Sequence, residues 1–190
     1  MLSALVALAL LRTAQATALW PLPQSLTLGP TALQLSPSFS FTTSSTSPTL
    51  LAAFTRTLAT MRLPVVPTIP FNGTLGATLT SVRVTLASAH EELVFNVSEA
   101  YTLSVIDGTA EGALAADTVF GALRGLETLA QLTEYRSGGP IVRAARIVDA
   151  PRFPHRGALL DTARHFIPVP TLLAFIDAML VVLGGRCKGH

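Results

Sequence analysis

The sequence predicts an α+β domain in which a mainly antiparallel sheet carries two helices, followed by a single parallel βα unit. Three observations support this class. Residues 81–87 and 101–107 alternate apolar and polar side chains, as half-buried strands do. Residues 48–62 and 115–135 place apolar side chains at helical spacing. Residues 156–163 form a short apolar run that leads directly into another helical pattern.

Residues 1–18 have the pattern of a secretory signal peptide. Leu2 to Leu11 is an apolar stretch of the expected length, and small residues suited to cleavage follow at 14–18. A buried strand or a short membrane anchor is the alternative, but the apolar run is too short to cross a bilayer. We therefore place the start of the mature domain at Leu19.

The first elements of that domain are predicted from turns and periodicity. Residues 19–43 mix short apolar runs with Pro and Gly, which favours edge strands and turns. Residues 43–49 are rich in Ser and Thr and are predicted as a connecting loop, with a mucin-like spot as the alternative. A helix is predicted over 48–62, and the proline-rich stretch 64–73 is incompatible with a helix or a central strand.

The second half of the domain contains the clearest helix. Strand 101–107 is predicted to end in a turn at Asp107-Gly108, and helix 115–135 to begin with Asp117 as its N-cap. Gly121 and Gly125 lie four residues apart inside this helix, which indicates close approach of a neighbouring backbone. A further strand follows at 141–150. Residues 156–163 are then predicted as a strand buried on both faces, and residues 169–183 as a helix with Pro170 in its first turn.

Composition excludes several classes of function. The chain is only 13% charged, and its thirteen basic residues are scattered rather than clustered, so we predict no nucleic-acid partner. No stretch is long enough for a membrane span, and the single cysteine, Cys187, allows no internal disulfide. Two N-glycosylation sequons, at Asn72 and Asn96, agree with a secretory route.

Residues 149–166, DAPRFPHRGALLDTARHF, concentrate polar chemistry in a charge-poor chain. No metal, nucleotide or nucleophile motif is present, so neither a metal nor a cofactor is expected. Arg164 follows the predicted buried strand, where a planar guanidinium would face a site and bind sugar hydroxyls or a carboxylate; an ion pair with Asp161 is the alternative. His155 and Arg156 lie at the start of that strand, on the side that serves stability, so we predict that they anchor a domain junction.

These same residues resemble a known family. DAPRFPHRGALLDTARHFIPV is similar to the start of the catalytic barrel in the β-N-acetylhexosaminidases of glycoside hydrolase family 20, with animal lysosomal α and β subunits the most alike. ALWPLPQS, SEAYTLSV and TVFGALRGLETLAQL resemble the smaller N-terminal domain of those enzymes. The resemblance implies a signal peptide over 1–18, an α+β domain over 19–150, and the first strand and helix of a (β/α)₈ barrel over 151–179.

The resemblance also implies a reaction and a set of roles. The family removes terminal N-acetylhexosamine from glycoconjugates with retention, and the substrate's acetamido oxygen replaces a carboxylate nucleophile. Arg164 matches the arginine that binds the non-reducing sugar. His155, Arg156 and Asp161 fall at motif positions that are structural, at the junction. The implied partners are an N-acetylhexosamine-terminated glycan and a second subunit in a full-length dimer, and the implied location is the secretory pathway, lysosome or extracellular space.

The chain departs from the family after Met179. Residues 184–190, GGRCKGH, resemble nothing in the family, and the Asp-Glu pair that supplies the family's orienting carboxylate and general acid is absent from the 190 residues. We therefore expect no glycoside hydrolysis by this chain alone. Two alternatives remain: a non-enzymatic truncated isoform whose N-terminal domain binds a partner, or an unstable fragment from an incorrect gene model.

Overall fold

The computed structural model describes residues 19–64 and 71–183, so the predicted signal peptide and most of the tail after Met179 lie outside the described residues. The described part is α+β, as predicted. Its elements are the strands β1 (Ser25–Thr42), β2 (Thr74–Leu86), β3 (Tyr101–Val105), β4 (Glu111–Ala116), β5 (Thr133–Arg136) and β6 (Gly139–Asp149), and the helices α1 (Pro48–Met61), α2 (Val119–Gln131) and α3 (Val169–Leu183).

The six strands form one sheet in the order β1-β2-β4-β3-β6-β5, and β1 also pairs with β6. The β1–β2 and β2–β4 pairings are parallel and the other four are antiparallel, so the prediction of a mainly antiparallel sheet is confirmed. In place of the short edge strands predicted over 19–43 there is one long strand, β1, which pairs with β6 from Ser25 to Gln34 and with β2 from Thr31 to Thr42. Pro30 is tolerated there since it falls in the register shift between Leu28 and Ala32, where no ladder bond is needed.

Helices α1 and α2 pack against each other and join the sheet in one core. Helix α1 matches its prediction, and Ser47 caps it by accepting a hydrogen bond from the Leu50 backbone. The close packing predicted at the α2 glycines is also found. A side chain at Gly121 would collide with the carbonyl of Ala100, and one at Gly125 would collide with the side chain of Leu114.

The boundaries of α2 differ from the prediction. Its N-cap is Thr118 rather than Asp117, because the Asp117 carboxylate instead accepts a 2.6 Å hydrogen bond from the Ser98 hydroxyl. The helix ends at Gln131, and the next four residues form β5 by pairing with β6. Strand β4 was not predicted either. Its EGALAA sequence has low strand propensity, yet alternate residues are buried between β2 and β3.

The predicted strand over 156–163 is wrong. These residues are irregular and mostly exposed; Leu159 is 90% exposed. A parallel strand is held by hydrogen bonds to neighbours on its edges, and no described strand pairs with this segment. The following helix, α3, forms as predicted, with Pro170 in its first turn. No helix within 19–64 and 71–183 is long and apolar enough to cross a membrane.

Candidate domain-junction site

A buried carboxylate connects the α+β domain to the segment that follows it. Glu99 lies just before β3, and its side chain is only 7% exposed. The Nη2 of Arg156, beyond β6, is 2.7 Å from Glu99 Oε2, and the Nε of Arg124, on α2, is 3.3 Å from the same oxygen. Arg156 also donates a hydrogen bond to the carbonyl of Phe153. One carboxylate therefore holds guanidinium groups from two distant parts of the chain.

Local structure at the start of α2 positions Glu99. The carbonyl of Ser98 accepts a 2.6 Å hydrogen bond from the Thr118 hydroxyl, the same hydroxyl that caps α2. The carbonyl of Ala100 lies against Gly121, where only a residue without a Cβ allows such an approach. The two residues that flank Glu99 are thus fixed against the first turn of α2, and the carboxylate faces Arg124 one turn further on.

The electrostatics of this cluster are those of a buried arginine between a carboxylate and a second arginine. Burial lowers the pKa of Arg124, the nearby Glu99 carboxylate opposes that shift, and the positive charge of Arg156 adds to it. Glu99 pairs with both guanidinium groups, and an uncompensated buried charge costs several kcal/mol. The ion pair is therefore a strong geometric constraint on the residues around Arg156.

A pocket of about 270 Å³ lies beside the cluster, between the N-terminal segment, α2 and the residues after β6. Hydrogen bonds connect the polar residues of its walls. Gln131 exchanges hydrogen bonds with the Trp20 backbone, and Gln24 bonds to Asp149 and to the carbonyl of Ala150. These bonds join the first and last segments of the α+β domain at the point where the chain leaves it.

Tyr101 also lines this pocket. Its hydroxyl lies 2.6 Å from Thr128 Oγ1 and 3.3 Å from Asp149 Oδ2. Burial raises the pKa of Tyr101 above its usual value, so the phenol stays neutral. The phenol is a neutral bridge between α2 and the end of β6.

Arg164, predicted to bind substrate, lies on the exposed irregular segment. Its side chain is 85% exposed, and its Nε is 3.1 Å from Asp161 Oδ2. The other oxygen of Asp161 accepts hydrogen bonds from the backbones of Ala163 and Arg164, as in an Asx turn. This is the ion pair that the sequence left as an alternative. His155 is exposed beside Arg156.

Both sequon asparagines are exposed. Asn96 occupies a turn with a φ of 64°, a conformation that asparagine tolerates better than most residues. Asn72 follows the buried ring of Phe71, which lies beneath the guanidinium groups of Arg136 and Arg143. The side chains that would accept a glycan therefore face solvent.

Sequence reasoning missed Glu99 and Arg124. Glu99 is separated from Arg156 by 57 residues, so no local spacing reveals the pair. The only available signal was compositional, because an acid beside an apolar strand is unusual in so charge-poor a domain. Within the described ranges, no cluster of His, Cys, Asp or Glu has the arrangement to hold a metal ion.

Comparison with known proteins places these features in a family. Residues 19–132 match the family model described as beta-acetyl hexosaminidase like, and residues 153–182 match the catalytic domain of glycosyl hydrolase family 20. Glu99 and Arg124 lie in the first region and Arg156 in the second, so the ion-pair cluster spans the two.

Three similar proteins illustrate the extent of the match. The chain is 36% identical over 168 residues to beta-hexosaminidase subunit B2 of Dictyostelium discoideum, covering 85% of this chain and 29% of that protein. It is 40% identical over 183 residues to beta-hexosaminidase subunit beta of Felis catus, covering 87% of this chain and 33% of that one. The solved structure of Flavobacterium johnsoniae chitobiase aligns with a TM-score of 0.68 at 27% identity, over 86% of this chain and 25% of the chitobiase.

The chain thus spans about a third or less of the length of these relatives. Its first family match covers more than half of its own residues, and the second follows in the same order. With both matches, the chain belongs to the β-hexosaminidase-like glycoside hydrolases of family 20.

Proposed function

We propose that these residues form the N-terminal part of a β-N-acetylhexosaminidase that hydrolyses terminal N-acetylhexosamine by substrate-assisted retaining catalysis. The order of the two family matches supports this proposal, as do the relatives named as beta-hexosaminidases. The proposed organisation is a signal peptide over 1–18, the α+β domain over 19–150 and the start of the catalytic barrel from residue 151. The family match runs to residue 182, three residues past the boundary expected at 179.

The ion pair between Glu99 and Arg156 is the observation on which the proposed roles of the α+β domain and the catalytic domain rest. It joins a buried residue of the α+β domain to a residue of the catalytic match. In this proposal Arg156, with His155 and Asp161 nearby, sets the position from which the first barrel strand departs. The α+β domain acts as a rigid support for that strand, and it contributes no catalytic group.

Arg164 is proposed to bind hydroxyl groups of the non-reducing sugar in the complete enzyme. Its planar guanidinium offers several fixed donors, which suits two neighbouring hydroxyl groups. Its present partner, Asp161, is largely a surface contact, and exposed ion pairs contribute little free energy. Replacing Asp161 by a sugar as the partner of Arg164 therefore costs little free energy.

The secretory pathway, with the lysosome or the extracellular space as destination, is the proposed location. The exposed sequons at Asn72 and Asn96 and the leader pattern over 1–18 support it. A dimer with another hexosaminidase subunit is proposed for the full-length protein, by analogy with relatives that are named as subunits.

Two measurements test the proposed activity. The 190 residues contain no Asp-Glu pair, so the purified chain is expected to leave a fluorogenic N-acetylglucosaminide unhydrolysed. Turnover that disappears with Arg164→Ala would contradict this expectation.

A chimera tests the role of Arg164 directly. Residues 19–179 replace the matching third of the Felis catus subunit beta, and the chimera is expected to be active. Arg164→Ala should lower kcat/KM by about tenfold or more, because hydrogen bonds from a charged donor contribute roughly 1.5–3 kcal/mol each. Arg152→Ala, an exposed arginine of the same segment, is the control and should leave kcat/KM unchanged. Equal losses in both variants would show a general structural effect and reject the assignment.

A non-enzymatic interaction domain is the second candidate, supported by the exposed apolar side chains after residue 152. In that case the purified chain should be retained by an immobilised intact hexosaminidase subunit. Retention that survives replacement of Phe166 and Leu173 by serine would reject this surface as the contact.

A further inference from the structure

The hydroxyl groups of the Ser/Thr-rich loop between β1 and α1, residues 43–49, fall into two sets. Thr43, Ser45 and Ser47 each accept a hydrogen bond from a backbone N–H two or three residues further on, with donor–acceptor distances of 3.1, 3.2 and 3.0 Å. These three hydroxyls shape the loop and cap α1. The alternate residues, Ser44 and Thr46, are exposed, and their hydroxyls bond to no other described residue.

A cleft of about 350 Å³ opens beside these two residues. Its walls combine apolar surface from Pro48 and Leu86 with the carboxylate of Glu91. Glu91 Oε2 accepts a 3.1 Å hydrogen bond from Thr49, whereas Oε1 is buried and has no donor among the described residues. An unmatched carboxylate oxygen favours a ligand that brings its own hydrogen-bond donors. A pyranose has an apolar face and a rim of hydroxyl donors, which matches both surfaces of the cleft.

We infer that Ser44 and Thr46 are sites of O-linked glycosylation, and that the first sugar lies in the adjacent cleft. The composition agrees, since Ser/Thr-rich segments with proline are typical acceptors, and the exposed loop is open to a transferase. The inference rests on the proposed secretory route, where the donor sugar and the transferases reside. It does not depend on hexosaminidase activity.

The transfer needs one co-reactant, a nucleotide-activated N-acetylhexosamine. The hydroxyl oxygen of Thr46 or Ser44 forms a bond to the anomeric carbon of the sugar. The bond from that carbon to the diphosphate oxygen breaks, and the nucleoside diphosphate leaves with the electron pair. The hydroxyl proton passes to a base of the transferase, so the exchange is redox-neutral.

The test is mass spectrometry of the full chain secreted from animal cells, after enzymatic removal of N-glycans. Wild-type protein should carry N-acetylhexosamine on the peptide that contains residues 43–49. The double variant Ser44→Ala/Thr46→Ala should lose it and remain folded, because both side chains are exposed. Thr78→Ala is the matched control, since Thr78 is also exposed but lies inside β2, and it should leave the modification unchanged.

Each alternative outcome has a defined meaning. An unmodified loop on a chain that carries N-glycans at Asn72 or Asn96 overturns the inference while leaving the secretory route intact. A secreted chain with neither kind of glycan also overturns the inference, and a chain that is retained in the cytosol overturns the secretory route on which it rests. Phosphate on Ser44 or Thr46 in place of sugar also overturns it, because the carboxylate of Glu91 in the cleft would repel the phosphate.

Glu91→Gln examines the cleft separately. If the sugar bonds to this carboxylate, the variant should be glycosylated but should release its O-glycan faster to an added glycosidase. Equal release from Glu91→Gln and wild type would place the sugar outside the cleft and overturn that part of the inference.

Discussion

At the scale of single residues, Glu99 constrains the fold more than any of the residues that were selected from the sequence. It pairs with Arg124 of α2 and with Arg156 of the following segment, and it is shielded from water. Arg164 and Asp161 form an ion pair of the same type, but Arg164 is almost fully solvated. Burial, rather than charge type, decides which of the two pairs constrains the fold.

Glu99→Gln should therefore destabilise the α+β domain by about 3–5 kcal/mol, because it leaves two guanidinium groups without their buried counter-charge. Urea unfolding followed by circular dichroism measures the change. Glu92→Gln is the control, since that carboxylate pairs with His90 at a largely exposed site and should shift stability by less than about 0.5 kcal/mol. Equal effects in both variants would contradict the structural role of Glu99.

At the scale of elements, α2 shows how glycine serves close packing at the expense of helix propensity. Gly121 lets the helix approach the backbone at Ala100, and Gly125 admits the side chains of Leu114 and Tyr101. Each glycine costs about 1 kcal/mol relative to alanine in an isolated helix. The sequence pattern already indicated close approach, and the structure identifies the strands β3 and β4 as the neighbours.

Gly121→Ala should therefore destabilise the protein although it raises helix propensity. The new Cβ would collide with the backbone carbonyl of Ala100, and overpacking of this kind costs about 1–3 kcal/mol. Gly138→Ala is the control, because its surroundings are open, and it should be nearly neutral. A melting temperature that rises with Gly121→Ala would show that the helix can shift away from β3.

At the scale of the whole molecule, the described residues divide into a well-packed α+β unit and an apolar segment on its surface. The large exposed hydrophobic residues of the second part include Phe153, Leu159, Phe166, Val169, Leu173 and Ile176. Single exposed apolar side chains are ordinary, but so many large ones on one segment favour association.

The purified chain is accordingly expected to self-associate with increasing concentration, as measured by sedimentation velocity. Replacing Phe166 and Leu173 by serine should shift the population towards monomer, because both side chains are largely exposed and contribute only to the outer apolar surface. Leu63→Ser removes an exposed leucine from a distant site and should change nothing. A wild-type chain that stays monomeric at all concentrations would contradict the expectation.

The sequence by itself determined the class of the fold, the helices α1 and α3, the turn at Asp107-Gly108 and the family resemblance. Each of these depends on residues close together in the chain, through periodicity, capping or a contiguous motif. Glu99, the pairing of β1 on both sides and the existence of β4 and β5 needed the tertiary structure. They depend on contacts across tens of residues, and the weak strand propensity of β4 was overridden by burial between its neighbours.

The segment 156–163 is the clearest case of a sequence whose local structure depends on strands elsewhere in the fold. Its apolar sequence determined that it is suited to a buried strand, and the motif around it determined the family. Whether it becomes a strand is a property of its neighbours, because a parallel strand exists only when adjacent strands accept and donate its backbone hydrogen bonds. Among the described residues no strand does so, and the segment remains exposed and irregular.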